Sequence, residues 1–323
     1  MDKIKVSVLG CGRWGSFLAW YNSKIGNEVT IWGRAESKRF CALRQTRENE
    51  YVKFGEDINF CDDIAQAIDF ADVIIISIAS QQLRGFIAGL DKRGLADKKV
   101  VLCMKGLEET SGKRLTEIAI EEGISKDNIA VWLGPGHIQE FVKGTPNCMI
   151  IDSYSRELTK YLVDIFKSNL IRFYYGNDII GNEFGGATKN IIGIAAGMLD
   201  ASGMTALKGP LMARGVREVA RMIKALGGDE NTAYGLAHLG DYETTLFSAF
   251  SQNKKFGENL INGVKSDKLA EGVMTTKAVL ELAKKYDVEM PITQCVYNII
   301  FKKSNPMTEL DNLFNRELKN EKW

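Results

Sequence analysis

The feature that most constrains this chain is a change of hydrophobic period about half-way along it. Up to about Tyr175, short β-branched runs recur between helical stretches, whereas from Asn182 onward no run reads as a strand. Ile4–Leu9 is an apolar run that ends in glycine, Glu28–Trp32 is a second strand, and Val73–Ile78 (VIIISI) is the strongest strand signal of all. Val100–Cys103, Ala130–Leu133 and Cys148–Ile151 continue the series, with helical patterns such as Ser16–Ser23 and Arg114–Glu122 between them. Continuous apolar strands alternating with helices predict an α/β unit with a doubly wound, mainly parallel sheet. Helical periodicity then covers Ala187–Met198, Leu211–Leu226, Glu243–Ala249, Thr275–Lys285 and Ile292–Phe301, which predicts an all-α second domain. The boundary falls in GNDIIGN, giving domains of residues 1–180 and 181–323.

Composition narrows the function classes. The 42 basic and 41 acidic residues nearly balance, so no electrostatic footprint calls for nucleic acid or an anionic membrane. No window approaches the roughly 18 apolar residues of a membrane span. The start, MDKIKVSVLG, runs straight into a strand and leaves no room for a signal peptide. Six cysteines stand singly and there are only two histidines. That pattern argues against a disulfide framework or a zinc site, and it fits a cytoplasmic protein with no metal.

Directly after the first strand comes Gly10-Cys11-Gly12-Arg13-Trp14-Gly15, which fits GxGxxG. Such a pattern alone often marks only a tight turn. Between a strand and the helix that follows, however, it is the fingerprint of a Rossmann dinucleotide site. Gly10 permits the turn, Gly12 lets a pyrophosphate approach the backbone, and Gly15 lets helix and strand pack closely. The anion then rests on free N–H groups at the positive helix end. Choosing between NAD and NADP is harder. The second strand ends Ile31-Trp32-Gly33-Arg34, with Glu36 the nearest acid. Arg34 suits a 2′-phosphate, which slightly favours NADP, and it suits a solvated surface equally well.

Chemistry in such sheets gathers beyond the carboxyl ends of the strands. Two strand ends there carry Lys105-Gly106 and Gly134-Pro135-Gly136-His137. A lysine after a strand is most often solvated, and His137 reads first as a packing residue. In the helical half, GGATKNIIGIAAG sets Lys189 near the start of an otherwise apolar helix. Burial and the positive helix end would both lower the pKa of its amine, suiting it to exchange protons near neutrality. The alternative is a lysine snorkelling from a core helix. Gly193, Ala196 and Gly197 predict close helix packing.

With these motifs in place, the chain closely resembles the glycerol-3-phosphate dehydrogenase family of bacterial type. The resemblance rests on GCGRWG, Lys105-Gly106, GPGHIQEFVKGTPN (134–147), GATKNIIGIAAG, GDYETT (240–245), SQNKKFG (251–257), Glu271-Gly272 and VEMPI (288–292), in that order and spacing. It implies an NAD- or NADP-dependent oxidoreductase that interconverts dihydroxyacetone phosphate and sn-glycerol 3-phosphate, a cytoplasmic homodimer supplying glycerophospholipid precursor. It also implies roles for individual residues. Lys189 is the proton-exchanging lysine, Asp241 the carboxylate that positions it, and Lys105 a second lysine touching cofactor and substrate. Ser251, Gln252 and Asn253 occupy substrate-contact positions, and Gly134 and Gly136 match the loop facing the substrate. Trp14, Arg34, Ile138, Gln252 and Glu271 match cofactor positions.

Three positions depart from the family. Gln252 stands where an arginine that meets phosphate and cofactor is usual, Gly136 where Ser or Thr is common, and Ile138 where Ala is usual. A charge-assisted contact is worth about 1.5–3 kcal/mol, so losing the arginine weakens phosphate affinity unless Lys254 or Lys255 compensates. Two other readings stay open: a two-domain reductase of another small keto or hydroxy acid, and a dinucleotide-sensing protein without turnover.

Overall fold

The computed structural model describes residues 3–265, 270–318 and 320. Eight strands make one sheet: β1 (Lys5–Leu9), β2 (Glu28–Trp32), β3 (Ile58–Cys61), β4 (Val73–Ile76), β5 (Lys99–Leu102), β6 (Ile129–Leu133), β7 (Asn147–Ser153) and β8 (Ile171–Tyr175). Their order is β3-β2-β1-β4-β5-β6-β7-β8. Every neighbouring pair is parallel except β6 with β7. The central strands are fully apolar because helices cover both faces: Val6, Val8, Val73, Ile74 and Val100 have no exposed surface. The chain runs outward through β2 and β3, then returns to place β4 on the other side of β1. That reversal opens the crevice in which doubly wound sheets bind ligands.

β3 and β8 were not anticipated from the sequence, and they are the two edge strands. In each, side chains alternate or are half-exposed, so neither shows the continuous apolar run that betrays a central strand. In the other half, the helix anticipated from Ala187 begins earlier, at Ile179, and extends to Ala201. Asp178 caps it, accepting from the Gly181 N–H at 3.0 Å. Lys189 therefore sits near the middle of a 23-residue helix, and the positive helix end does not act on it. The stretch expected to be helical over 243–249 is a single π-type turn, Glu243–Phe247. Gln252–Ile261, not singled out by its pattern, is an α-helix.

The long helix is buried almost all round because Lys208–Ala225, Gln252–Ile261 and Glu271–Lys285 pack about it. It meets Gln252–Ile261 at backbone contact. A Cβ added to Gly197 would lie 1.9 Å from the Lys254 carbonyl oxygen, and one on Gly257 2.1 Å from that of Ile194. Two hydrophobic cores result, one about the sheet and one about this helix.

Buried polar braces tie the long helix to the sheet unit. The Glu183 carboxylate accepts from Arg114 at 2.8 Å, from the Thr116 N–H at 2.9 Å and from the Thr116 hydroxyl at 2.5 Å. Asp152, at the end of β7, accepts from the Asp178 N–H at 3.0 Å and from Asn182 at 2.7 Å.

Candidate active site

At the crevice, β1 ends in the glycine turn. Gly10 has φ +122°, a conformation that disfavours any side chain, and a Cβ there would lie 2.1 Å from the Ser77 carbonyl oxygen. A Cβ on Gly15 would lie 1.9 Å from the Gly10 carbonyl oxygen, so helix Arg13–Lys24 packs directly on the turn. Gly12 differs: nothing lies within 4 Å of an added Cβ, and no side chain caps the helix that starts there. Open space in front of uncapped N–H groups fits a dinucleotide pyrophosphate. Trp14 packs on Phe17, with ring centroids 5.0 Å apart. At the end of β2, Arg34 is exposed and lies 3.7 Å from Glu36. The first acid after β2 is thus already paired with Arg34.

Beyond β5 and β6 the chain delivers Lys105 and Gly134 toward the long helix. The Lys105 Nζ donates to the Gly134 carbonyl and to Asp241 Oδ2, both at 2.7 Å. The same carboxylate oxygen pairs with Lys189, so one buried carboxylate holds two ammonium groups from opposite halves of the molecule. Asp241 is 1% exposed and is fixed by its neighbours: the Thr244 hydroxyl donates to Oδ1, and the Thr245 hydroxyl donates to the Asp241 carbonyl at 2.6 Å. The π-type turn brings both threonines back onto it.

Electrostatics follow from this packing. Burial lowers the Lys189 pKa, and Lys105 lowers it further; Asp241 opposes both, and the amine settles at about 7. Burial acts the other way on Asp241, but the two lysines outweigh it and hold the carboxyl below its usual value. Burial raises Glu271, at the start of helix Glu271–Lys285, to about 7 against the opposing pull of Lys105 and Lys189. An amine that titrates near neutrality is thereby set among other charged groups.

The structure brings Lys105, Lys189, Asp241 and Gly134 into direct contact. It adds Asn190, whose amide donates to the Lys105 carbonyl at 3.3 Å and whose Oδ1 accepts from Asn253 at 2.9 Å. Asn253 Oδ1 in turn accepts from the Gly272 N–H at 3.0 Å, so Asn253 ties three helices together. The Ser251 hydroxyl accepts from the Lys254 N–H at 3.3 Å and caps helix Gln252–Ile261. Gln252 lies exposed at the first position of that helix. The compensation considered for Lys254 is not seen, because its ammonium binds Glu258 at 2.5 Å and Asp200 at 3.1 Å. Lys255 is exposed.

The missing hydroxyl at Gly136 has a packing cause: an added Cβ would lie 2.3 Å from the Phe141 ring, which stacks on Phe17 at 5.0 Å. Ile138 is buried at the start of the short helix Ile138–Val142. Asn190, Thr244 and Thr245 were within quoted motifs but not singled out. Adjacency to Lys189 and Asp241 was the only available signal, and it does not say which way a side chain turns.

Among the described residues no helix is long and apolar enough to cross a membrane, and no group of three or more His, Cys, Asp or Glu side chains could hold a metal ion. Comparison with known proteins agrees in both halves. Residues 5–159 match the family described as "NAD-dependent glycerol-3-phosphate dehydrogenase N-terminus", and residues 178–311 match its C-terminus. A glycerol-3-phosphate dehydrogenase [NAD(P)+] of Chlorobium phaeobacteroides is 35% identical, with 99% of this chain and 100% of that one covered. Another, from Fusobacterium nucleatum, is 35% identical over 98% of each chain. The crystal structure of glycerol-3-phosphate dehydrogenase from Coxiella burnetii superposes with a TM-score of 0.89 at 27% identity, covering 97% of this chain and 99% of that one. Matched in both halves and along nearly its whole length, this chain belongs to the NAD-dependent glycerol-3-phosphate dehydrogenase family.

Proposed function

We propose that the cleft catalyses reversible hydride transfer between NADH or NADPH and dihydroxyacetone phosphate, giving sn-glycerol 3-phosphate. The observation that carries this reading is the buried Lys189 amine, with its pKa near 7, sharing one Asp241 oxygen with Lys105. The turn at Gly10, Gly12 and Gly15 would hold the pyrophosphate, with Trp14, Arg34, Ile138, Gln252 and Glu271 toward the rest of the dinucleotide. When bound, the reduced nicotinamide supplies the hydride.

The remaining steps belong to this chain. Lys189 donates a proton to the developing alkoxide on C2, and in the oxidative direction its neutral amine takes that proton back. Asp241 keeps the amine aimed and stabilises its charged form, while Lys105 adds a second positive charge against the oxygen. Gly134, Gly136, Ser251, Gln252 and Asn253 complete the substrate side. The division between the two units lies near residue 180, so cofactor and acid come from different cores.

Lys189→Ala should retain cofactor binding, followed by fluorescence titration, and lose at least about a hundredfold in turnover. Wild-type turnover in that variant would sink the assignment. Ketone reduction needs the ammonium form, which exists below its pKa. Its kcat/KM should therefore fall above pH about 7, while glycerol-phosphate oxidation rises over the same range.

A cytoplasmic homodimer accords with this reading. Met307, Phe314 and Leu318 are exposed apolar side chains near the C-terminus, available for a self-contact. Sedimentation at micromolar concentration tests it.

A further inference from the structure

The two histidines of the chain stand in opposite situations. His238 is fully satisfied: Nδ1 lies 2.8 Å from the Gly185 carbonyl oxygen and Nε2 lies 2.7 Å from the Tyr242 hydroxyl. His137 is 7% exposed, yet its Nε2 has no hydrogen-bond partner among the described residues. A buried polar atom left unpaired costs stability, and native proteins seldom keep one without a use for it. The residue stands beside the charged cluster, in the field of Asp241 and Lys189. His137 follows the loop whose Gly134 carbonyl binds Lys105, and its ring lies edge-on to Phe250, with centroids 5.5 Å apart. Phe250 immediately precedes Ser251 and Gln252. The charges acting on His137 are Glu140 and Arg13 from its own side of the cleft and Asp241 and Lys189 from the other; burial outweighs them and keeps the ring toward its neutral form.

The phosphate of the proposed substrate needs donors, and four nearby lysines are committed. Lys105 and Lys189 share Asp241, Lys254 pairs with Asp200 and Glu258, and Lys208 also pairs with Asp200. Gln252, two residues beyond the Phe250 that touches His137, is neutral. We infer that the unpaired Nε2 of His137 donates a hydrogen bond to the substrate phosphate, a contact that lets this chain bind a phosphorylated ketone with glutamine at position 252. This rests on the functional reading above.

His137→Phe keeps an aromatic ring against Phe250 and removes the donor. With dihydroxyacetone phosphate its KM should rise at least tenfold, while the cofactor KM and kcat/KM for unphosphorylated dihydroxyacetone stay within twofold of wild type. Adding Gln252→Arg to that variant should recover most of the loss, which a merely structural histidine would not permit. An unchanged KM for the phosphorylated ketone, or an equal loss on both ketones, overturns the contact. Inorganic phosphate, read by the Tm shift it induces, gives a measure that does not depend on turnover: the shift should be smaller in His137→Phe. Equal shifts overturn the role of His137, whereas wild-type protein inactive with dihydroxyacetone phosphate overturns the functional reading instead.

Discussion

The two halves of the cleft are built from different material. The cofactor side is made by backbone and by the absence of side chains: Gly10 and Gly15 cannot carry a Cβ, and Gly12 faces open space. On the acid side the work falls to buried charged side chains, Lys189 and Asp241, held by the packing of the long helix and its neighbours. A backbone site binds an anion with dipoles that are fixed once the turn forms. A side-chain site tunes a pKa through its distance from water and from other charges, so it depends on the packing of several helices. The difference teaches that local sequence specifies the first kind of site, while the second exists only when distant segments meet.

Removing the brace between the halves gives the hardest test of that contrast. Glu183→Ala removes the buried partner of Arg114, whose other ion pair is with the half-exposed Glu117, and should destabilise the protein by about 3–5 kcal/mol in urea unfolding. If the halves are independent modules, unfolding should then split into two transitions. A single transition at unchanged Tm would show that the brace does little.

Within the acid side, Gly197→Ala drives a Cβ toward the Lys254 carbonyl and forces the long helix away from Gln252–Ile261. The expected cost is about 1–3 kcal/mol of stability, with kcat falling and the cofactor Kd unchanged. A weakened cofactor Kd with intact kcat would contradict the division of labour drawn here.

Gly12→Ala should have the smallest and cleanest effect. The added methyl meets no protein atom, so Tm should hold, while cofactor affinity drops roughly tenfold, about 1.4 kcal/mol. Isothermal titration would read it. A shifted Tm would mean that Gly12 serves the fold rather than the ligand.

These same residues show how far the sequence could be read. The glycine turn was legible because its strand, spacing and helix are contiguous and its glycines are demanded by local geometry. The central strands were legible because burial on both faces leaves a continuous apolar run; β3 and β8, at the edges, carry no such mark. Lys189 was singled out on two grounds, of which one is mistaken. The lowered pKa comes from burial, reinforced by Lys105, and not from a helix end that lies at Ile179. The glycine at position 136 read only as a missing hydroxyl, and a Cβ there would lie 2.3 Å from the Phe141 ring.

By itself the sequence determined the class of fold and the glycine turn after the first strand, since both rest on periodicities and spacings a few residues long. The tertiary structure alone decided that Lys105 and Lys189 would share one carboxylate oxygen of Asp241, that Asn253 would knit helices together, and that the His137 Nε2 would be left without a partner among the described residues. The physical reason is range. A hydrophobic period is written in neighbouring residues, whereas a hydrogen bond and a desolvation penalty depend on which distant groups, and how little water, arrive at the same place.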